Sequence, residues 1–220
     1  MRKLALNTFV SLDGVMQALG APEEDPTGGF THGGWSVNYW DDDMMGRMAE
    51  AAPYELLLGR GTYEIFAAHW PYVTDDPVAD RLNAARKHVA STTLEEVEWN
   101  NSTLIGGDVA KYVATLKGQD GPEIQVHGSP GLIQTLLEQD LIDEFRIWVF
   151  PLVIGTGKRL FGEGTIPAAL TLVDSKVSKT GVTINTYERA GDIDYASFAF
   201  DQPTEAEIAR RRRLAAAERR

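Results

Sequence analysis

A chain of 220 residues, 43% apolar and 24% charged, has the size and make-up of one α/β domain with room for a terminal appendage, and it can bury a core without staples. It has no cysteine, which excludes a disulfide framework, a thiolate metal site and a cysteine nucleophile, and fits a reducing cytoplasm. A net charge of -11 argues against general nucleic-acid binding, so an anionic ligand must be held by a local site rather than by the overall field.

The amino terminus, Met1-Arg2-Lys3-Leu4-Ala5-Leu6, has the charge of a signal peptide, but Asn7 and Thr8 break its apolar stretch and make it a first strand, Lys3–Val10. No apolar run approaches the ~18–20 residues that span a bilayer, so no membrane partner is expected. Residues 18–40 are rich in Gly and Pro and read as a structureless segment too long for an ordinary connection, the kind that serves as a lid or binding loop. Asp41, Asp42 and Asp43 then precede Met44–Ala49, a capped helix with acids in its first turn. Strands are expected at Glu55–Leu58, Lys87–Ser91, Thr103–Ile105, Glu123–Val126 and Phe145–Phe150, with helices at Asp108–Leu116 and Gly131–Leu137, whose apolar stripe is core packing. Leu170–Ser175 and Val182–Tyr187 flank Lys179-Thr180-Gly181 as an antiparallel hairpin. Strands that alternate with helices predict an α/β fold with a mostly parallel twisted sheet, helices on both faces and this hairpin at its carboxyl-terminal edge. The division is a domain over 1–200 and an arginine-rich helical tail over 201–220. From Thr204 to Arg220 six arginines face three glutamates, so the tail is +3 and the body near -14; Thr204 and Glu207 form a capping-box pattern. A solvated terminal helix and a helix docked on an acidic partner or a second subunit both fit it.

Three strand-to-helix turns suit a phosphorylated ligand. In Gly59-Arg60-Gly61-Thr62 the glycine lets the backbone come close, the new helix offers unpaired N–H groups and the arginine supplies a fixed charge. Strand Lys87–Ser91 runs into the hydroxyls of Ser91, Thr92 and Thr93, which also fit a helix cap or turn. The third, Gly128-Ser129-Pro130-Gly131, again sets free N–H groups before a helix. Each alone fits a tight connection. In an open parallel sheet, however, all three lie at the carboxyl ends of strands, where such folds bind ligands. None is a G-x-G-x-x-G or a G-x-x-x-x-G-K-[ST] loop. His32, His69, His88 and His127 lack ligand spacing, and no metal is proposed.

These residues resemble the dihydrofolate reductase superfamily, and within it the reductase domain of bacterial riboflavin biosynthesis and its stand-alone relatives. The resemblance rests on Ser11-Leu12-Asp13-Gly14, Gly59-Arg60-x-Thr62-Tyr63, Lys87-x-Val89-x-Ser91-Thr92-Thr93, Gly128-Ser129, Leu141-Ile142-Asp143-Glu144-Phe145 and Pro151-Leu152-Val153-Ile154-Gly155-x-Gly157-Lys158-x-Leu160-Phe161. It covers about residues 4–190. It implies a three-layer dihydrofolate-reductase-like fold, a cytoplasmic NADPH-dependent reductase and a homodimer, with apolar edge surface expected on Phe145–Phe150 and the hairpin. Carried over by motif, Gly59, Arg60 and Thr62 would hold the adenosine-side phosphates, and Ser91, Thr92 and Thr93 would face the ribose and 2′-phosphate. Gly128, Ser129, Pro130 and Gly131 would line the pyrophosphate.

A reductase of this kind needs a proton for the atom next to the hydride acceptor, and a buried carboxyl can supply it. Asp13 is one candidate and also fits a turn residue before Gly14; one of Asp41, Asp42 and Asp43 is the other, and the three also fit a helix cap. On the substrate side, relatives place the loop of Gly155, Gly157 and Lys158 beside the substrate, where a cation would meet a phosphorylated ribose; a solvent-facing loop fits it equally. Trp35, Tyr39, Trp40 and Trp70 would wall a flat heterocycle or pack the long loop. With no deaminase domain and no zinc signature the chain is not the bifunctional riboflavin enzyme, and a folate, a pyrimidine phosphoribosyl compound or another small carbonyl or imine all fit as substrate. A non-catalytic nucleotide- or partner-binding domain on the same fold is the alternative.

Overall fold

Alternation of apolar side chains along the central strands decides the layers. In the computed structural model, which describes residues 1–217, Leu57 of strand β2 (Tyr54–Gly59) packs with Leu4 and Leu6 of β1 (Leu4–Ser11) and Ile124 and Val126 of β5 (Glu123–His127), beneath α4 (Val109–Lys117) and α5 (Pro130–Glu138). Its neighbours Leu56 and Leu58 point the other way, joining Val89 of β3 (Lys87–Ala90) beneath α2 (Arg60–Ala67) and α3 (Pro77–Ala84). The two faces of one strand thus bury two cores, as a period of two requires of a strand covered on both sides.

The remaining strands are β4 (Ser102–Ile105), β6 (Glu144–Phe150), β7 (Leu170–Val177) and β8 (Thr183–Arg189), and the remaining helices are α1 (Asp42–Ala49) and α6 (Glu205–Ala217). The eight strands lie in the order β4-β3-β2-β5-β1-β6-β8-β7. The first six are mutually parallel, β8 runs antiparallel to β6, and β7 antiparallel to β8. Register is set by the apolar pattern: Leu57 lies beside Val126, and Leu6 beside both Val126 and Phe145. The mostly parallel sheet, the two helical layers and the terminal hairpin are those expected.

Two expectations need correction. Residues 18–40 are not structureless: they hold two 3₁₀ turns, Thr27–Gly29 and Val37–Tyr39, and are tied down by Trp35 Nε1 donating to the Gln17 carbonyl at 2.8 Å and by the Ser36 hydroxyl donating to the Leu19 carbonyl at 2.8 Å. Strand β6 is interior, paired to β1 and β8, because its buried-both-sides pattern suits a central position; β7 is the edge, with Leu172, Val173 and Val177 more than half exposed. Helix α3 was not singled out, although Asp76 caps it, its carboxylate accepting from Val78 N and Ala79 N, and Pro77 opens it. In the tail, Glu207 N donates to Thr204 Oγ1 at 3.3 Å as the capping box predicts, and α6 runs to Ala217; Glu218, Arg219 and Arg220 of the arginine-rich tail lie outside the described residues.

One packing feature carries a pH dependence. Lys87 is fully buried at the start of β3, donating to the carbonyls of Ala85 at 2.7 Å and of Asn83 and Asn100 at 3.1 Å, with its ammonium 4.1 Å from the centre of the Trp99 ring. No carboxylate pairs with it among the described residues, and burial pushes its pKa down to about 8. The unfolded chain therefore holds the proton more tightly than the folded one between about pH 8 and the free-lysine value of about 10.4. We expect stability from this group to rise with pH across that window, by roughly 3 kcal/mol at most. Urea unfolding at pH 8 and pH 10 checks it: Lys87→Met should flatten the rise.

Candidate functional site

Because β3, β2 and β5 are consecutive neighbours and parallel, their following turns, at 91–93, 59–62 and 128–131, emerge side by side at one edge of the sheet. The turns after β2 and β5 touch. Gly59 N donates to Ser129 Oγ at 2.8 Å, and the Ser129 hydroxyl donates to Thr62 Oγ1 at 2.9 Å. The approach is close enough to require small residues: a Cβ on Gly59 would lie 3.1 Å from Ser129 Cβ, and one on Gly128 would lie 3.1 Å from Thr62 Oγ1. Gly128 and Ser129 both adopt left-handed backbone, at φ 55° and 67°. For serine this costs about 1 kcal/mol, and strain of this kind persists where the surroundings over-determine it. Ser129 is buried, and the hydrogen bonds of its hydroxyl hold it there.

Two of the helix starts at this edge differ from the others. Asp41, Asp76 and Asp108 cap α1, α3 and α4, each carboxylate accepting backbone N–H groups of its first turn. Helices α2 and α5, which follow Gly59 and Ser129, have no side-chain cap. Their first-turn N–H groups are therefore left without side-chain acceptors, next to each other, and with no carboxylate to repel an anion. Arg60 opens α2, is exposed, and makes no ion pair among the described residues. At the third turn Ser91 Oγ accepts from Thr93 N at 3.1 Å and Leu94 N at 3.0 Å, which closes the turn on itself; the side chains of Thr92 and Thr93 are exposed.

His127 ends β5 one residue before Gly128. It is buried, with Nε2 2.9 Å from Gln125 Oε1 and its ring stacked 5.9 Å from that of Tyr54. Burial first, and the Arg146 charge second, push its pKa down to about 4, so it stands as a neutral, packed anchor of the loop.

On the far side of β1, Asp13 acts as a clasp. Its carboxylate accepts from the Ser11 hydroxyl at 2.6 Å, from Ile154 N at 3.0 Å and from Gly155 N at 2.8 Å, and it lies 3.3 Å from Arg159 Nη2. The Ser11 hydroxyl, and with it the two backbone N–H groups, outweigh desolvation and hold the carboxyl well below the usual carboxylate range. The Gly155–Lys158 loop is thereby docked on the segment after β1. Gly157 at φ 122° has room for no Cβ, which would meet Val15 Cγ1 at 2.8 Å and Phe30 Cε2 at 2.9 Å; Lys158 pairs with Asp25 at 2.6 Å, and its N–H donates to Gln17 Oε1 at 3.0 Å. Asp41 links α1 to the hairpin turn, accepting from Met44 N at 2.9 Å and Lys179 N at 3.0 Å, whereas Asp42 and Asp43 are exposed.

The loop aromatics divide. Trp35, Tyr39 and Trp40 gather over Phe150, with Trp40 also beside Phe9 and Trp148, at ring separations of 5.2–6.1 Å. Trp70 belongs to the other core with Phe66, so the four do not form one wall. Ser11, Gln17, Asp25 and Arg159, which organise this half, were not among the expected site residues. Their bonds span up to 146 positions, and no local pattern reports such pairs. A concavity of about 730 Å³ lies at the opposite, amino-terminal ends of the strands, beside Tyr54, Arg81 and Ser102, away from these turns.

Residues 2–184 match the family model described as the RibD C-terminal domain. The chain is 26% identical over 199 residues to the uncharacterized protein YyaP of Bacillus subtilis (strain 168), covering 86% of this chain and 96% of that one. It resembles in fold a putative riboflavin biosynthesis protein from Shewanella sp. PV-4, with a TM-score of 0.60, 24% identity and 86% and 99% of the two chains covered. It also resembles in fold dihydrofolate reductase from Enterococcus faecalis, solved in complex with NADP(H) and RAB-propyl, with a TM-score of 0.54, 15% identity and 86% and 96% covered.

The Ser129 hydroxyl is a node between two turns, and losing it leaves Gly59 N–H without its partner. Ser129→Ala should lower unfolding stability by about 1–2 kcal/mol, read from the shift in urea midpoint at constant slope.

Proposed function

The chain belongs to the RibD C-terminal domain family, and on that premise we propose that it is an NADPH-dependent reductase acting on a small heterocyclic, carbonyl or imine substrate. The observation that carries this is the pair of adjacent helix starts, α2 and α5, that lack carboxylate caps while α1, α3 and α4 have them, with Arg60 unpaired beside them. Such a place accepts a polyanion. Two close approaches, at Gly59 and Gly128, bring the turns that carry these helix starts together.

The residues fit the cofactor. Arg60 and the N–H groups of Gly61 and Thr62 would hold phosphate on the adenosine side, and Ser91, Thr92 and Thr93 would face the ribose and its 2′-phosphate. The backbone of Gly128, Ser129, Pro130 and Gly131 would line the pyrophosphate. NADPH, when bound, supplies the hydride. The chain's own part is orientation and exclusion of water. Asp13 positions the segments after β1 and β6, and the aromatic group of Trp35, Tyr39 and Trp40 closes one side with an apolar wall. A flat ring suits that wall, with Gly155 and Gly157 at its border. Lys158 is already paired with Asp25, so it offers a substrate phosphate little free charge.

Asp13 is held as a carboxylate and so is a positioning group rather than the acid. Asp41 is committed to two backbone N–H groups. We assign the proton on the reduced atom to water. The ionised state of Asp13 also favours a second reading, a nucleotide-binding domain without turnover on the same fold. We further read the chain as a homodimer, with the exposed apolar edge of β7 at the interface.

Titration with NADPH and NADH by calorimetry tests the first reading. NADPH should bind below the millimolar range and more tightly than NADH, and Arg60→Ala should weaken it about tenfold. No binding at millimolar NADPH removes the reductase; unchanged affinity in Arg60→Ala removes the site assignment; binding without oxidation by any carbonyl or imine offered decides for the second reading.

A further inference from the structure

The family match ends at residue 184, yet the chain continues through three aromatic residues that its own fold leaves bare: Tyr195 and Phe200 are each 78% exposed, and Phe198 is fully exposed. Helix α6 follows with no buried residue. Glu207 pairs within it to Arg210 and Arg211, while Arg212 and Arg213 make no ion pair among the described residues. Bare aromatics followed by an arginine-rich helix with no buried residue are a contact surface without its partner.

The body offers a surface of matching chemistry. Beside α2 lies a concavity of about 670 Å³ lined by Glu64, Glu96 and Glu98, with the exposed ring of Tyr72 at its border. None of these three carboxylates is in an ion pair among the described residues. Carboxylates flanking an open aromatic ring suit guanidinium groups, which bond carboxylates in parallel pairs and stack on aromatic faces. The charges match at the larger scale too: helix α6 carries four arginines against two glutamates, while the residues before Thr204 sum to -14. Residues 190–204 can extend up to about 50 Å, far enough to cross to a neighbouring molecule.

We propose that residues 190–217 form an arm that docks on a second copy of this chain, its arginine helix seated in the Glu64–Glu96–Glu98 groove of that copy. A two-fold axis then buries two arms and two grooves at once. The inference rests on the dimer reading above and is independent of the reductase reading.

Sedimentation of the full chain, of a chain ending at Ala190, of Arg212→Glu/Arg213→Glu, and of that pair combined with Glu96→Arg/Glu98→Arg tests it, with circular dichroism confirming that each is folded. The full chain should be a dimer. Truncation and the arginine reversal should each weaken dimerisation by about tenfold or more, and the combined charge swap should restore it. A monomeric full chain overturns both the dimer and the arm, including the case in which the arm folds back on its own groove. A truncated chain that dimerises as tightly as the full one overturns the arm alone. A charge swap that fails to restore association overturns the groove as its seat.

Discussion

The Ser129 hydroxyl, shared between Gly59 N–H and Thr62 Oγ1, is the contact on which the candidate site depends. It joins the turn after β2 to the turn after β5, and so fixes the relative position of α2 and α5. For that bond to form, two glycines must lack side chains and Ser129 must accept a left-handed backbone. What results is a pair of helix starts close together, both without the aspartate that closes the other body helices. Their first-turn N–H groups have no side-chain acceptor, and Arg60 is exposed beside them. In a chain of net charge -11 this is a local reversal of sign.

The opposite half of the site is organised by charge rather than by close approach. Asp13 gathers a hydroxyl, two backbone N–H groups and a guanidinium, and by doing so docks the glycine loop after β6 onto the segment after β1. Lys158 with Asp25 pins the same loop from the other side. A carboxylate with that many donors gives geometry, not protons, which is why the acid role moves away from it. The aromatic group over Phe150 completes this half, and the long segment that carries it is held by backbone-directed bonds from Trp35 and Ser36.

Much of this was legible from local signals. Strand positions follow the apolar runs, and the three turns could be placed together once a parallel sheet was inferred, because carboxyl ends of parallel strands share one edge. Asp41 was readable as a cap from the residues that follow it. What was not legible is long-range. Nothing in the neighbourhood of Asp13 says that it meets Ile154 and Gly155, and nothing near Lys158 points to Asp25. Trp70 was grouped with Trp35 and Trp40 by type, yet it belongs to a different core, because α2 lies on the other side of β2 from α4 and α5. The apolar surface of β6 suggests an edge, but continuous burial is the mark of a strand paired on both sides.

On the proposed reading the three turns act as one cradle for a single dinucleotide. A crystal structure of the chain grown with NADPH decides it. Phosphate density is expected within hydrogen-bond distance of Arg60 and the α2 amides, the pyrophosphate against Gly128–Gly131, and the 2′-phosphate beside Thr92 and Thr93. NADPH bound elsewhere, at the amino-terminal end of the sheet beside Arg81 and Ser102 for instance, would contradict it.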